Sequence, residues 1–162
     1  MCTKRIIMLQ RIQSLYLFIA ICINAAVFSL DLAALKVSEL YHNFNIFGLT
    51  SADTGVQLYS SISLVVLCIL SMLVSLIIIF MYKKRQQQVK LSQLNLFLQL
   101  GFVAAIFFMV DDAATTLTNA SEMVVEYGAG AFLAIVPIVF IYLAIRAIKK
   151  DEALVRAADR IR

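Results

Sequence analysis

The basic residues of this 162-residue chain border long apolar runs. Thirteen of the fourteen Lys and Arg residues fall in three segments, residues 4–11, 83–90 and 146–162. Four apolar runs lie between these segments. One connection joins the first run to the second and another joins the third to the fourth, and Lys36 is the single base in these two connections. Lysine and arginine concentrate on the cytoplasmic side of membrane helices. The pattern therefore predicts an integral membrane protein with both termini and the middle connection in the cytoplasm.

The composition indicates the same class of protein. Hydrophobic residues make up 62% of the chain and charged residues 15%, and the mean hydropathy is +0.92. Soluble domains carry roughly 25% charged residues. The net charge of +4 comes from the predicted inner face. We therefore expect the lipid bilayer and its anionic headgroups as partners, and no nucleic acid.

Length and hydropathy predict one membrane domain over residues 1–162. The spans are placed at about residues 15–35, 59–82, 91–110 and 129–148, since roughly 20 apolar residues cross a bilayer. The expected fold is all-α, a four-transmembrane-helix bundle running up-down-up-down, with loops outside. The basic start of the first span imitates a secretory signal peptide. Because its apolar run is long for a signal core, we expect it to be retained as an anchor.

Polar residues recur near the middle of the predicted spans. Counting 1.5 Å per residue from each cytoplasmic boundary puts four residues about 12 to 16 Å deep. We name them the midplane polar layer: Asn24, Ser71, Gln99 and Pro137. A carboxamide at that depth cannot reach water, so Asn24 and Gln99 should point inward. There they should bond to each other, to Ser71, or to the Leu133 carbonyl that Pro137 leaves without a donor.

Two interpretations of the midplane polar layer remain open. It could set the register of the helices, or it could line a small polar cavity for a ligand. The first is favoured because no ionisable side chain joins the layer, whereas proton relays and ion-coupled carriers place charged groups at that depth. Cys68, Ser71 and Ser75 form one helical stripe of the second span and predict a packing seam, since small residues let membrane helices approach. A stripe with the same spacing begins the third span: Ser92, Asn95 and Gln99.

The outer connections contain groups that could bind a metal ion. Four acids could hold a cation, but their spacing matches no known loop, and a solvated acidic rim is favoured: Asp111, Asp112, Glu122 and Glu126. His42 has no partners for zinc, which needs at least three protein ligands. An exposed or capping role is favoured for it. The sequence predicts no cofactor, metal site or disulfide.

The end of the chain, residues 149–162, contains no Gly or Pro. We therefore expect the fourth helix to continue into the cytoplasm as an amphipathic extension. Its apolar face should be covered by lipid headgroups, by the short loop of residues 83–90 with its Gln-rich part, or by another protein. The candidate partner or lipid surface consists of Arg85, Lys149, Lys150, Leu154, Val155, Ala158 and Ile161.

Three segments of the chain carry a resemblance to a known family. They are Gln10–Leu17 (QRIQSLYL), Tyr82–Arg85 (YKKR) and the ending Ala144–Arg162, with the run IRAIKKDEALVRAADRIR. These segments resemble an uncharacterised bacterial four-span membrane protein family, domain of unknown function 4293. The resemblance implies a bacterial inner-membrane protein with four helices. It brings no reaction, substrate or site residue.

The distinctive features of the sequence are contact surfaces rather than reactive groups. We therefore favour a non-enzymatic scaffold or accessory subunit of a larger complex in the bacterial inner (cytoplasmic) membrane, with a protein partner or self-association. The alternative is a small oligomeric transporter or channel in which Asn24, Ser71 and Gln99 line a path. An enzyme is least favoured, because a hydrolase needs a base beside its nucleophile. Ser71 and Cys68 have no base at their depth.

Overall fold

The computed structural model describes nearly the whole chain. The backbone is described for residues 2–37, 40–52, 55–81, 84–117 and 123–159. Side chains are described for residues 12–36, 41–52, 55–81, 84, 86–117, 124–154 and 157.

Four helices and five strands make up the described part of the chain. The helices are α1 (Cys2–Val27), α2 (Ile62–Phe80), α3 (Arg85–Leu117) and α4 (Ala129–Asp159). The strands are β1 (Ala33–Val37), β2 (Leu40–Asn45), β3 (Gly48–Ser51), β4 (Gln57–Ser60) and β5 (Met123–Tyr127). The first predicted outer connection is therefore largely strand, whereas the second contains the end of α3 and the short strand β5.

The strands form one antiparallel sheet in the order β4-β3-β2-β1-β5. Neighbours along the chain pair as hairpins, and β5 joins the other side of β1, with Leu35 opposite Val125. Gly48 begins β3 at a φ of +142°, and a Cβ there would collide with the Tyr59 carbonyl. Only glycine fits this approach of β3 to β4. The sheet unites the α1–α2 and α3–α4 connections, so both lie at the same end of the helices.

The predicted all-α fold is wrong because of this sheet. The first predicted span, residues 15–35, is also wrong in its end, since α1 stops at Val27. Phe28, Ser29 and Leu30 then turn through i to i−3 hydrogen bonds, and Leu32 N donates to Phe44 O at 2.7 Å. A hydropathy average does not detect the end of α1, because the strand and turn residues that follow are as apolar as the helix before them. The backbone leaves the helix where partner strands supply its hydrogen bonds.

Within the described residues, three helices are long and apolar enough to cross a membrane: residues Ile62–Phe80, Gln86–Leu117 and Ala129–Leu154. In α1, the described apolar stretch is the shorter segment Ile12–Val27. The structure thus supports three candidate spans rather than the predicted four. The predicted continuation of the last helix is confirmed, since α4 runs to Asp159. The predicted loop at residues 83–90 is wrong in its Gln-rich part, because α3 begins at Arg85.

The helices pack side by side, and the sheet lies over one end of them. Helix α1 contacts α2 and α4, and α3 contacts the same two helices. The inner face of the sheet buries alternate side chains against the helices, including Leu35, Phe44 and Leu49. The outer face exposes the residues between them, including Lys36 and Tyr41. We call the helix ends remote from the sheet the distal end.

The largest apolar cluster joins the sheet to the helices. We call it the sheet-side core, and it contains Phe44 and Leu49 from the sheet, Leu64 from α2, and Phe102 and Ile106 from α3. All five are at most 1% exposed. Burial of large side chains from both kinds of element ties the sheet to the helices.

Candidate functional site: a polar network between the helices

Two polar stripes face each other where α2 packs antiparallel on α3. Ser71 and Ser75 lie one turn apart on α2, and Asn95 and Gln99 lie one turn apart on α3. Residues three or four positions apart share one helical face, so two stripes of equal spacing can pair in register. All four side chains are at most 1% exposed. With Asn24 of α1 they form what we call the helix-bridging network.

A reciprocal pair of carboxamides lies at the centre of this network. Asn24 Nδ2 donates to Gln99 Oε1 at 3.0 Å, and Gln99 Nε2 donates to Asn24 Oδ1 at 3.1 Å. The two side chains thus exchange both hydrogen bonds of an amide dimer. This pair joins α1 to α3 although neither helix packs extensively on the other.

Gln99 reaches the two remaining helices as well. Its Oε1 accepts from Ser71 Oγ at 2.8 Å, and its Nε2 donates to the Ala134 carbonyl at 3.1 Å. A carboxamide has two donor hydrogens and two acceptor lone pairs. All four sites of Gln99 are therefore used, by partners on α1, α2 and α4. One side chain of α3 bonds to every other helix.

The network continues from Gln99 toward the distal end. Ser71 Oγ also lies 3.1 Å from Asn95 Oδ1, and Asn95 Nδ2 donates to Ser75 Oγ at 2.7 Å. Interhelical hydrogen bonds in membranes contribute about 0.6 kcal/mol each on average and up to about 1.7 kcal/mol. Their main effect here is geometric, because a shift of one residue between α2 and α3 would separate every pair.

The structure brings together three residues of the midplane polar layer: Asn24, Ser71 and Gln99. Pro137 is buried on α4, but the accepting carbonyl is that of Ala134 and not that of Leu133. Ser71 lies midway between Ile62 and Phe80, the ends of α2. Asn24, in contrast, lies in the last turn of α1, because this helix ends earlier than predicted.

Sequence reasoning missed Asn95 and Ser75 as members of the same cluster. Their signal was present, since each belongs to one of the two stripes with equal spacing. Only depth was used to select the midplane polar layer, and depth does not show that two stripes pair. A comparison of the stripes as antiparallel partners would have matched Ser71 with Gln99 and Ser75 with Asn95.

A second group of buried polar residues lies toward the distal end. Gln88 Nε2 donates to the Ile78 carbonyl at 3.1 Å, and Ser92 Oγ donates to the Gln88 carbonyl at 2.8 Å. Gln88 thus satisfies a carbonyl near the end of α2, where the last carbonyls of a helix lack backbone partners. Gln13 and Asp151 are also buried there, at 4% and 2% exposure.

The candidate partner or lipid surface is described in part. Lys149 and Lys150 are exposed, and Leu154 is 49% exposed. The side chains of the other members lie outside the described residues: Arg85, Val155, Ala158 and Ile161.

Asp111, Asp112, Glu126 and His42 lie around the sheet. Tyr59 donates from its hydroxyl to Asp112 Oδ2 at 2.7 Å, which joins β4 to the end of α3. This hydrogen bond, with burial and the carboxylate charge, raises the pKa of Tyr59 above its usual value. His42 is buried on the inner face of the sheet at 8% exposure, and Asp111 is exposed. Among the described residues, no group of three His, Cys, Asp or Glu side chains could hold a metal ion. Glu122 lies outside them.

The family model for Domain of unknown function (DUF4293) matches residues 9–161 of the chain. No curated protein matches the chain. The chain belongs to the DUF4293 family.

Proposed function

We propose that this DUF4293 protein is a non-enzymatic membrane protein that serves as a scaffold or accessory subunit of a larger membrane complex. The observation that carries the proposal is the closed bonding of Gln99, whose four hydrogen-bonding sites all have partners on other helices. A side chain bound in this way holds helices in place. It offers no free donor or acceptor to a substrate.

The proposal places the sheet outside the bacterial inner membrane and the distal end in the cytoplasm. The two connections that form the sheet contain one base, Lys36, whereas the basic residues described on the helices, including Lys90 and Lys149, lie toward the distal end. Positive charge is retained on the cytoplasmic side, so both termini belong there. Three helices of sufficient length and hydropathy support the membrane location.

The distal end is the surface proposed for the partner. Helix α4 has 31 residues and would extend about 46 Å at 1.5 Å per residue, more than the roughly 30 Å of a hydrocarbon core. Its last turns therefore project past the membrane. Exposed Lys149 and Lys150 would contact anionic headgroups, and half-exposed Leu154 would contact a protein.

Photocrosslinking in native membranes tests the scaffold proposal. A photoreactive amino acid replaces Leu154 in one variant and exposed Phe97, a side chain on α3, in a matched control. We expect one dominant protein adduct from position 154, identified by mass spectrometry, and lipid adducts from position 97. Lipid adducts alone at both positions, together with an isolated monomer in mild detergent, would contradict the proposal.

The alternative, a small oligomeric transporter or channel, requires a polar path between the helices. The buried row of serines and carboxamides is the observation that favours it. Flux assays in vesicles separate the two functions. Loss of flux in Ser71→Ala with retained folding would favour transport, whereas the scaffold proposal expects no specific flux in either protein.

A further inference from the structure

The two edges of the sheet differ in how readily they can pair with another strand. Strand β4 has four residues, and its pairing with β3 is interrupted by a bulge beside Leu49 and Thr50. Strand β5 has five residues in unbroken register with β1. Short and bulged edges resist further pairing, whereas regular edges accept another strand. In the described part of the chain, β5 is therefore the more open edge.

One hydrogen bond shows which backbone N–H and C=O groups of β5 point to β1. Gly128 N donates to the Leu32 carbonyl at 2.9 Å, which continues the register of β1 and β5. Since backbone groups alternate along a strand, those of Val124 and Glu126 point to β1. Those of Met123, Val125 and Tyr127 point away from the sheet. No described residue hydrogen-bonds to the outward groups of these three residues.

Apolar side chains border this open edge. Val124 is 55% exposed, and Tyr127 is 39% exposed. The Tyr127 ring lies 5.0 Å from the ring of Phe107 on α3, which is itself 41% exposed. β5 contains no Lys or Pro, which most often protect edge strands, and its one charged residue is Glu126. The edge thus combines backbone groups that pair with no described residue and exposed apolar area.

We propose that two copies of this chain associate through β5, which pairs antiparallel with β5 of the second copy about a two-fold axis at Val125. In this register Val125 faces Val125, and Met123 faces Tyr127. The outward N–H and C=O groups of Met123, Val125 and Tyr127 thus face the outward groups of the second copy. Val124 faces Glu126, so no two carboxylates lie directly opposite each other, a contact that would be destabilising.

The membrane explains why the second copy is the fitting occupant. When two copies form one continuous antiparallel sheet, the two-fold axis that relates them is perpendicular to the sheet. The inner faces of both copies therefore point the same way. Both sets of helices then enter one membrane in the same orientation. The centres of the two five-stranded halves lie about 24 Å apart, since neighbouring strands are spaced at about 4.8 Å. Two neighbouring helices of one copy, packed at about 8 to 10 Å, fit within this width.

The proposed dimer rests on the membrane placement proposed above, but not on the scaffold role. It predicts a ten-stranded sheet outside the membrane, while the scaffold proposal concerns the distal end. Each can fail while the other stands.

Paired cysteines test the register. In a background with Cys2, Cys22 and Cys68 replaced by serine, one chain carries Val124→Cys and a differently tagged chain carries Glu126→Cys. These positions face each other at about 4.5 Å between Cα atoms, within disulfide range. Two copies of either single variant place their cysteines about 8 Å apart, beyond that range. We expect at least tenfold more oxidised dimer from the mixture in native membranes than from either variant alone.

A matched mixture on the opposite edge, Gln57→Cys with Ser60→Cys, should give only the background level. The proposal is overturned if the β5 mixture gives no more dimer than the single variants or than the β4 mixture.

A second measurement removes the pairing and keeps the fold. Val125→Pro deletes an outward N–H, a position where edge strands tolerate proline, and Val125→Ala keeps that N–H as the control. Single-molecule photobleaching in dilute liposomes should show two steps for the natural sequence and Val125→Ala, and one step for Val125→Pro. One-step bleaching of the natural sequence, or two-step bleaching of Val125→Pro, would refute the dimer.

Discussion

Next to the sheet the buried residues form one large apolar cluster, whereas farther along the helices small apolar clusters alternate with buried serines and carboxamides. Phe44, Leu49 and Phe102 represent the first region, and Asn95 and Gln99 the second. Both regions are closed to solvent. They differ in which contacts hold their elements together.

The proposed membrane location accounts for this difference. Outside a membrane, burial of apolar area from water would drive the sheet and the helix ends together. Between helices surrounded by lipid, apolar contact offers little advantage, since the acyl chains are equally apolar. Hydrogen bonds and close packing then determine which helices meet and in which register. We therefore expect the sheet-side core to supply most of the stability, and the helix-bridging network to supply most of the specificity.

The largest effect is expected from the sheet-side core. Phe102→Ala removes a fully buried ring and should lower the free energy of unfolding by about 4 kcal/mol, as large-to-small core substitutions do. The matched control Phe97→Ala removes a ring of the same size from the same helix, where it is 71% exposed. Reversible unfolding in mixed detergent micelles measures both. Similar losses would show that the sheet-side core is not the stabilising region.

The second effect concerns the centre of the helix-bridging network. Gln99→Leu removes the partner of Asn24 and of the Ala134 carbonyl, and one of the two partners of Ser71. Unpaired buried polar groups cost about 1 to 3 kcal/mol each, although neighbours can partly re-pair. We expect a loss of about 3 kcal/mol in the same assay. Gln86→Leu, at an exposed position of α3, should change it by less than about 0.5 kcal/mol. If Gln99→Leu lowers the free energy of unfolding no more than Gln86→Leu does, Gln99 does not specify how the helices pack.

A smaller effect is expected at the edge of the network. Ser75→Ala removes the acceptor that Asn95 Nδ2 contacts at 2.7 Å, while the Asn95 contact with Ser71 remains. The expected cost is about 1 kcal/mol. Ser63→Ala on the same helix, where the serine is exposed, serves as the control. Equal unfolding free energies for the two variants would place Ser75 outside the network.

The smallest effect lies at the junction of sheet and helix. Tyr59→Phe removes the hydroxyl bonded to Asp112, and solvent screening limits the cost to a few tenths of a kcal/mol. Because folding raises the pKa of Tyr59, its contribution is complete below the ordinary tyrosine pKa near about 10. It is lost as the pH rises through the raised value. Unfolding measured from pH 8 to 12 should show a difference between the two proteins that shrinks at alkaline pH.

Tyr142→Phe, which changes an exposed tyrosine of α4, is the control for this pH dependence of the free energy of unfolding. This variant should match the natural sequence at each pH. A difference for Tyr59→Phe that grows above pH 10 would contradict the assigned hydrogen bond.

The helices could be predicted far better than the strands. Long apolar runs between basic segments indicated the regions of α2, α3 and α4, and the lack of Gly and Pro after residue 148 predicted the extension of α4. The strands were missed because each is short and four of them lie in one connection. Moreover, β5 pairs with a strand more than eighty positions away in the chain. The Gly48 turn and the Val-rich segment Met123–Tyr127 were the available signals.

The amino-acid sequence alone determined the family, the helical regions and the side on which positive charge collects, because hydropathy, helix continuity and charge are local properties of the chain. Tertiary structure decided that two distant connections form one sheet, that α1 ends at Val27, and that Gln99 bonds to all three other helices. These outcomes depend on partners far apart in the sequence. A strand needs another strand for its hydrogen bonds, and a buried carboxamide needs a partner that only packing can bring within 3 Å.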